Sequence, residues 1–466
     1  MNSGCRCFHV LAVGCLITAL LTSCGGSHGS GSHGLGMPST VAQGEVTYQK
    51  DIRAVLEANC TSCHFTGGIA PFPLNSWPDV QAEAPAVSNA IASGRMPPWL
   101  ADLSCHPMRD SAALSADTKD LVSKWERAGF PEGNSADYNP PQVKHVDLGP
   151  PTVQMAMATA YTSQGNINDN YRCFLMTGTF DQDTYITAVN IVPGQPATVH
   201  HVQIHTIPSA GIAQAQKLEG SDGIAGWNCG VGGTAGIIAG DYNLFSWRPG
   251  TQTAVFEPGD AVLVDAGTAV IMQVHYNIQN LKSGDAVPPD VSKVEFWTLP
   301  AGQLPSRIIR RYGLFSFNFS IPPGDPNYST TADIPMTTVS SVGNAFLAGE
   351  LVGETPHMHH LGTSLSVKKT DSAGAQTCMV DVPHWNFEWQ MDYFYASGTG
   401  VPFTQGDSLT IQCDYDNSVT NQPYINGVQL TPTTITFGEG SYAEMCLSYA
   451  WLRYDRDAYL TALGKK

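Results

Sequence analysis

The sequence predicts a multidomain chain in which a small all-α domain is followed by an all-β, sandwich-like body. Three observations lead there. Apolar residues recur at helical spacing in 46–64 and again in 115–130. From residue 151 the pattern changes to short alternating runs, TYITAVNIV (184–192), TAVIMQVHYNI (268–278) and SLTIQCDY (408–415), separated by Gly, Pro, Asp and Asn, with no long amphipathic helix. The composition, 46 Gly and 31 Pro in 466 residues with only 14% charged, favours a turn-rich β body, and the length suggests about three domains.

The same composition excludes several classes. Lys and Arg number 23 against 40 Asp and Glu, a net charge of −17 without basic clusters, which is wrong for neutralising phosphates and so excludes a nucleic-acid partner. At 42% hydrophobic and 9% aromatic the chain can bury a real core, which argues against wholesale disorder. The unusual quantity is 12 Cys and 14 His, which calls for metal or disulfide chemistry.

Residues 1–23 carry one charge, Arg6, before an apolar run from Val10 to Leu21, and read as a signal peptide. The run ends in Leu21-Thr22-Ser23-Cys24-Gly25, which resembles a bacterial lipobox and makes Cys24 a candidate lipid anchor. Residues 24–45, rich in Gly, Ser and His, read as a flexible tether. The expectation is an exported lipoprotein, in the periplasm or on the cell surface, that meets the membrane through its lipid alone. Disulfides persist in that compartment.

Residues 46–135 form the predicted helical domain. Ile52, Val55 and Leu56 precede Cys60-Thr61-Ser62-Cys63-His64, the C-x-x-C-H spacing of covalent haem attachment: two thiols can add to the two vinyl groups while the adjacent imidazole reaches the iron. A redox dithiol and half a zinc site are the competing readings. The region resembles a class I cytochrome c. Such domains take the second axial ligand from a later Met, and Met96 in Gly94-Arg95-Met96-Pro97-Pro98-Trp99 fits, with Met108 and His106 as fallbacks. Ser115 is a candidate cap for a closing helix that carries Leu121, Val122 and Trp125 on one face. Residues 136–154 read as a linker.

Two histidine clusters follow. His200-His201 are neighbours, and neighbours on a strand point to opposite faces, so they can share an ion with His275 only if the backbone bends or bulges. In Pro356-His357-Met358-His359-His360, His357 and His359 are spaced to share one strand face, with Met358 and His360 facing away. Two imidazoles need a third ligand; a thioether would favour copper over zinc.

Six ordered motifs then carry a resemblance: Asn170-Tyr171-Arg172-Cys173, His200-His201, Gly226-Trp227-Asn228-Cys229, Gln273-Val274-His275-Tyr276, His357-Met358-His359-His360-Leu361-Gly362 and Glu444-Met445-Cys446. From about 155 to 456 the chain resembles the copper type II, ascorbate-dependent monooxygenases. The resemblance implies two jelly-roll-like β domains, 155–303 and 304–466, each with one copper. It implies an electron-transfer copper on His200, His201 and His275, and a catalytic, oxygen-binding copper on His357, His359 and Met445. It also implies disulfides Cys173–Cys229 and Cys413–Cys446, leaving Cys105 and Cys378 either paired or free. The implied enzyme uses two copper ions, joined here by one covalent haem c, to insert one atom of O2 into a C–H bond of a small organic substrate. Ascorbate or a redox protein would supply the electrons. Peptide-hydroxylating members place an Arg two residues before the H-x-H to clamp a substrate carboxylate. Thr355 stands there, and Leu447 replaces a family Asn, while Tyr449 keeps a family Tyr as a candidate substrate contact. The substrate expected is therefore more apolar. The alternative is an exported electron-transfer lipoprotein whose β domains bind copper without turnover.

Overall fold

The computed structural model describes residues 45–141, 147–164, 170–230, 238–240, 242–278, 281, 286–425, 427–438 and 440–465. The signal, Cys24 and nearly all of the tether lie outside them. No helix among the described residues is long and apolar enough to cross a membrane.

Three helices form the first part. A π-helical turn, Tyr48–Ile52, is capped by the Thr47 hydroxyl and runs into α1, Arg53–Asn59. Next comes α2, Trp77–Ala92, which the apolar spacing did not reveal; its signal is Ser76 and Asp79, which close a reciprocal capping box around Pro78. The third, α3, Ala116–Arg127, starts at Ser115, whose side chain accepts from Thr118 N–H as its position predicted. Ile52, Leu56, Val80, Val87, Ile91, Val122 and Trp125 bury one common core. Tyr48 N–H ties the first turn to Pro131 O, beyond α3, at 2.9 Å, and Trp125 of α3 donates its Nε1–H to the same carbonyl at 3.1 Å.

The rest is mostly β-sheet. One long sheet runs Val153–Ala156, Lys293–Thr298, Thr184–Val192, Asp260–Val264, Arg307–Ser316, Cys446–Asp455, Gly349–His357, Tyr393–Phe394. It passes from sequence-early to sequence-late strands through a short parallel pairing, Arg307 with Asp260 and Ile308 with Ala261. A five-stranded sheet, ordered Trp227–Asn228, Asn170–Phe180, Thr268–Tyr276, Val199–Ile207, Tyr242–Trp247, packs on the early half around Phe174, Val202, Met272 and Phe296. A four-stranded sheet, Tyr328–Pro335, Ser408–Tyr415, Gly362–Thr370, Gln376–Val382, packs on the late half around Leu314, Leu365, Val380 and Leu452. This is sandwich packing twice over, with one sheet common to both.

Two strands expected to behave alike differ for a reason. Ser408–Tyr415 keeps the alternation of one buried face. Thr268–Tyr276 is buried at all nine positions, because it is central in its sheet and a ten-residue helix, Ser209–Leu218, lies over the outer face with Ala215 against Ala269 and Ile271. That helix is an addition to the all-β expectation.

The segment between α2 and α3 is stitched to the late sandwich. Cys105 bonds Cys378, Asp102 N–H donates to Asp381 O at 2.7 Å, Arg109 N–H donates to Phe394 O at 3.0 Å, and Ala101 enters the β core.

Candidate functional site

The first histidine cluster is assembled by an irregularity in a ladder. Val199 pairs with Tyr276 and His201 with His275, and the register slips between them, so His200 is the extra residue that lets adjacent side chains converge. The ligand atoms of His200, His201 and His275 lie within 4.8 Å of one another. Tyr171, paired with His275 across the sheet, stacks on its ring at 4.2 Å and 10°. Two contacts come from far along the chain: His200 Nε2 lies 3.0 Å from the Glu388 carboxylate, and His201 Nε2–H donates to Glu388 O at 3.2 Å. Burial and the neighbouring His200 and His275 push His201 well below the ordinary histidine range, which keeps it neutral, the form that binds a metal. Nothing local in the sequence marked Glu388.

The second cluster departs from the strand reading. The strand Gly349–His357 ends at His357, so His359 sits on the turn that follows, fully buried, with its ring 5.1 Å from that of His357 and at 89° to it. Met358 goes into the core, as its position predicted, and His360 packs on Phe387 and Tyr442. Each ring is oriented through Nδ1: His357 donates to Gln390 Oε1 at 2.7 Å, His359 to Ala443 O at 3.1 Å. That pattern is the usual support for a metal-binding imidazole, which then ligates through Nε2. Burial lowers His357 to about 4, outweighing the Gln390 bond.

Glu444 ties this turn to the methionine. Its carboxylate accepts from the backbone N–H of His359 at 2.9 Å, Leu361 at 2.6 Å and Met445 at 3.2 Å. Tyr415 donates to Met445 O at 2.9 Å, and Cys446, next in sequence, is bonded to Cys413. Met445, His357 and His201 line a single cleft of about 470 Å3, so both clusters open into the same space. Part of its lining is aromatic: Phe317 stacks on Phe315 at 4.9 Å and meets Phe437 edge-on at 4.8 Å. Tyr449 also lines it, and the Arg311 guanidinium lies 4.4 Å over the Tyr449 ring. Thr355 is occupied structurally; its hydroxyl donates to Asp392 and accepts from Trp451 Nε1 at 3.0 Å.

In the helical part Cys60 and Cys63 are half-buried thiols one turn apart. Burial raises both, Cys60 to about 12. His64 Nδ1–H donates to Phe72 O at 2.9 Å, leaving Nε2 as the ligating nitrogen, so both thiols and the imidazole fit a covalent haem. Met96 is half-buried after the turn that ends α2, its N–H on Ala90 O. The two fallback ligands are engaged elsewhere: His106 Nε2–H donates to Thr399 O at 3.0 Å, and Met108 bridges to Tyr395 and packs on the β core. Cys173 bonds Cys229, and Cys105 with Cys378 makes the third disulfide, a pairing left open by the sequence.

No curated protein matches the chain. Among solved structures, a chain of the Sputnik virophage determined by cryo-EM is 11% identical over 67% of this chain and 88% of that one, with TM-score 0.15. A chain of infectious bursal disease virus Gx strain is 10% identical over 65% and 80%, with TM-score 0.09. At such scores neither bears on the fold. Residues 312–457, which carry His357, His359 and Met445, match the family described as copper type II ascorbate-dependent monooxygenase, C-terminal domain, and that match supports copper-dependent monooxygenase chemistry in this part of the chain.

Proposed function

We propose that the protein is a copper monooxygenase that hydroxylates a C–H bond of a small, largely apolar organic molecule with O2. In this reading His357, His359 and Met445 hold the catalytic copper; His200, His201 and His275 hold the electron-storing copper. Cys60, Cys63 and His64 carry a covalent haem, with Met96 as its second axial ligand, and Cys24 anchors the exported chain. The observation that carries the reading is the cleft that His201, His357 and Met445 line together.

Bound copper would supply O2 binding and one-electron steps at each centre. The chain's own groups do the rest. Gln390 and Ala443 O hold the imidazoles of His357 and His359 in one orientation. Burial keeps His357 neutral down to acidic pH, so protons do not compete for the ligand. Met445 offers a soft thioether, which favours Cu(I), and Glu444 fixes its distance from the His359 turn. Phe315, Phe317 and Phe437, with Tyr449 beside them, offer partly exposed aromatic surface that an apolar substrate would cover.

The test is metal content together with turnover. One haem and two coppers per chain, with 18O from labelled O2 entering a product in metabolite profiles, is the expected result. A chain that binds copper and consumes no oxygen with any apolar substrate offered would support the electron-transfer lipoprotein instead.

A further inference from the structure

The helical domain touches the copper-bearing sheet at one turn whose position matters. The strand Tyr242–Trp247 flanks the His201 strand, with Trp247 paired to Val202, the neighbour of His201. Three residues later is Gly250, at φ +86°, where an added Cβ would lie 2.9 Å from Cys63 Sγ. The turn is held by Thr251 N–H to Arg248 O at 3.0 Å and Arg248 N–H to the Thr251 hydroxyl at 3.2 Å. Arg248 is half-buried, interacts electrostatically with both Cys63 and His201, and has a buried Nε–H without a partner.

We propose that the turn Trp247–Gly250 is the seat through which the haem-bearing domain passes an electron to the three-histidine copper, with Gly250 as the positioning residue. This rests on the haem and copper reading above. Cys63 Sγ is the atom that would form the thioether to a haem vinyl carbon, so a residue packed against that sulfur is one van der Waals contact and two bonds from the conjugated ring. From Gly250 to Trp247 the chain spans at most ~11 Å, three residues at full extension, and one strand pairing then reaches the residue beside His201. Only glycine permits this approach: any side chain would both strain the left-handed backbone and push Cys63 away. The step moves one electron from ferrous haem to Cu(II), leaving ferric haem and Cu(I), with no bond or proton transferred; an external one-electron reductant restores the haem.

The test uses the full protein loaded with haem and copper. The haem is pulse-reduced without oxygen, and its reoxidation is followed optically while the Cu(II) EPR signal decays. Gly250→Ala should slow that reoxidation about tenfold or more with haem spectrum and copper content unchanged. Gly302→Ala, at another left-handed glycine with open space around it, should leave the rate alone. An unaltered rate in Gly250→Ala, with both metals in place and oxygen still consumed, overturns the seat but not the proposed function. A chain that never acquires covalent haem overturns both. Pulsed EPR on the unsubstituted sequence gives a check independent of the glycine variants: two haem–copper distances are expected, and the shorter must vanish in His275→Ala. Loss of the longer one overturns the proposal.

Discussion

Gln390 tests whether the second histidine cluster is built as a metal centre. Its Oε1 accepts from His357 Nδ1–H at 2.7 Å while its own Nε2–H donates to Phe387 O at 3.0 Å, so the amide is pinned and fixes the imidazole. In Gln390→Leu the buried His357 N–H loses its acceptor, at a cost of about 1–3 kcal/mol, and the ring is released to rotate. Supporting bonds of this kind are worth about 10–100-fold in metal affinity, or roughly 1.4–2.7 kcal/mol. Proton competition does not contribute near neutrality, because His357 already lies at about 4 and losing Gln390 lowers it further. The loss should therefore be the same at pH 6 and pH 8. Competition against a Cu(I) chelator measures it, with His200→Ala removing the other centre. Gln390→Glu, which keeps an acceptor, should recover most of the affinity. Copper affinity within twofold of the parent in Gln390→Leu would refute the orienting role.

Further outcomes follow from the same geometry. Met445→Ile should abolish hydroxylation while the haem spectrum persists, measured as labelled product alongside the optical spectrum; undiminished product would remove Met445 from the site. Cys378→Ser opens a bridge of sequence separation 273. Chain entropy puts that closure at ~5.6 kcal/mol, acting through the unfolded chain; a large drop in denaturant midpoint is expected, and an unchanged midpoint would remove the bridge from the stability of the fold. Glu354 is fully buried and raised to about 8 by desolvation, with one oxygen bonded to Ser448 at 2.6 Å and Oε1 without a partner. The folded protein thus holds a proton that the unfolded chain releases above about pH 4.3. Its contribution to stability falls between there and about pH 8 and is level beyond, at up to about 1.4 kcal/mol per pH unit; Glu354→Gln should flatten that part of the profile in denaturant titrations.

Much of the architecture was written locally. Ser115 starts its helix because a hydroxyl there satisfies an orphan N–H, and the alternation in 408–415 buries one face of a strand. The identity of the candidate ligands was legible for the same reason: adjacent His200 and His201, the H-x-H spacing and C-x-x-C-H are patterns within a few residues. Adjacency even required the backbone irregularity found at His200. What only the tertiary structure decided involves groups far apart in sequence, where no periodicity carries information. The partner of Cys105 is 273 residues away, Glu388 meets His201 across 187, and Gly250 comes to Cys63 where the helical part packs on the turn after the strand Tyr242–Trp247. Packing the sheets placed His201, His357 and Met445 around one cleft, and the termination of the strand at His357 took His359 off the face its spacing assigned to it. Side-chain chemistry is local and survives in the sequence; the distances that make it a centre are set by burying apolar faces against one another.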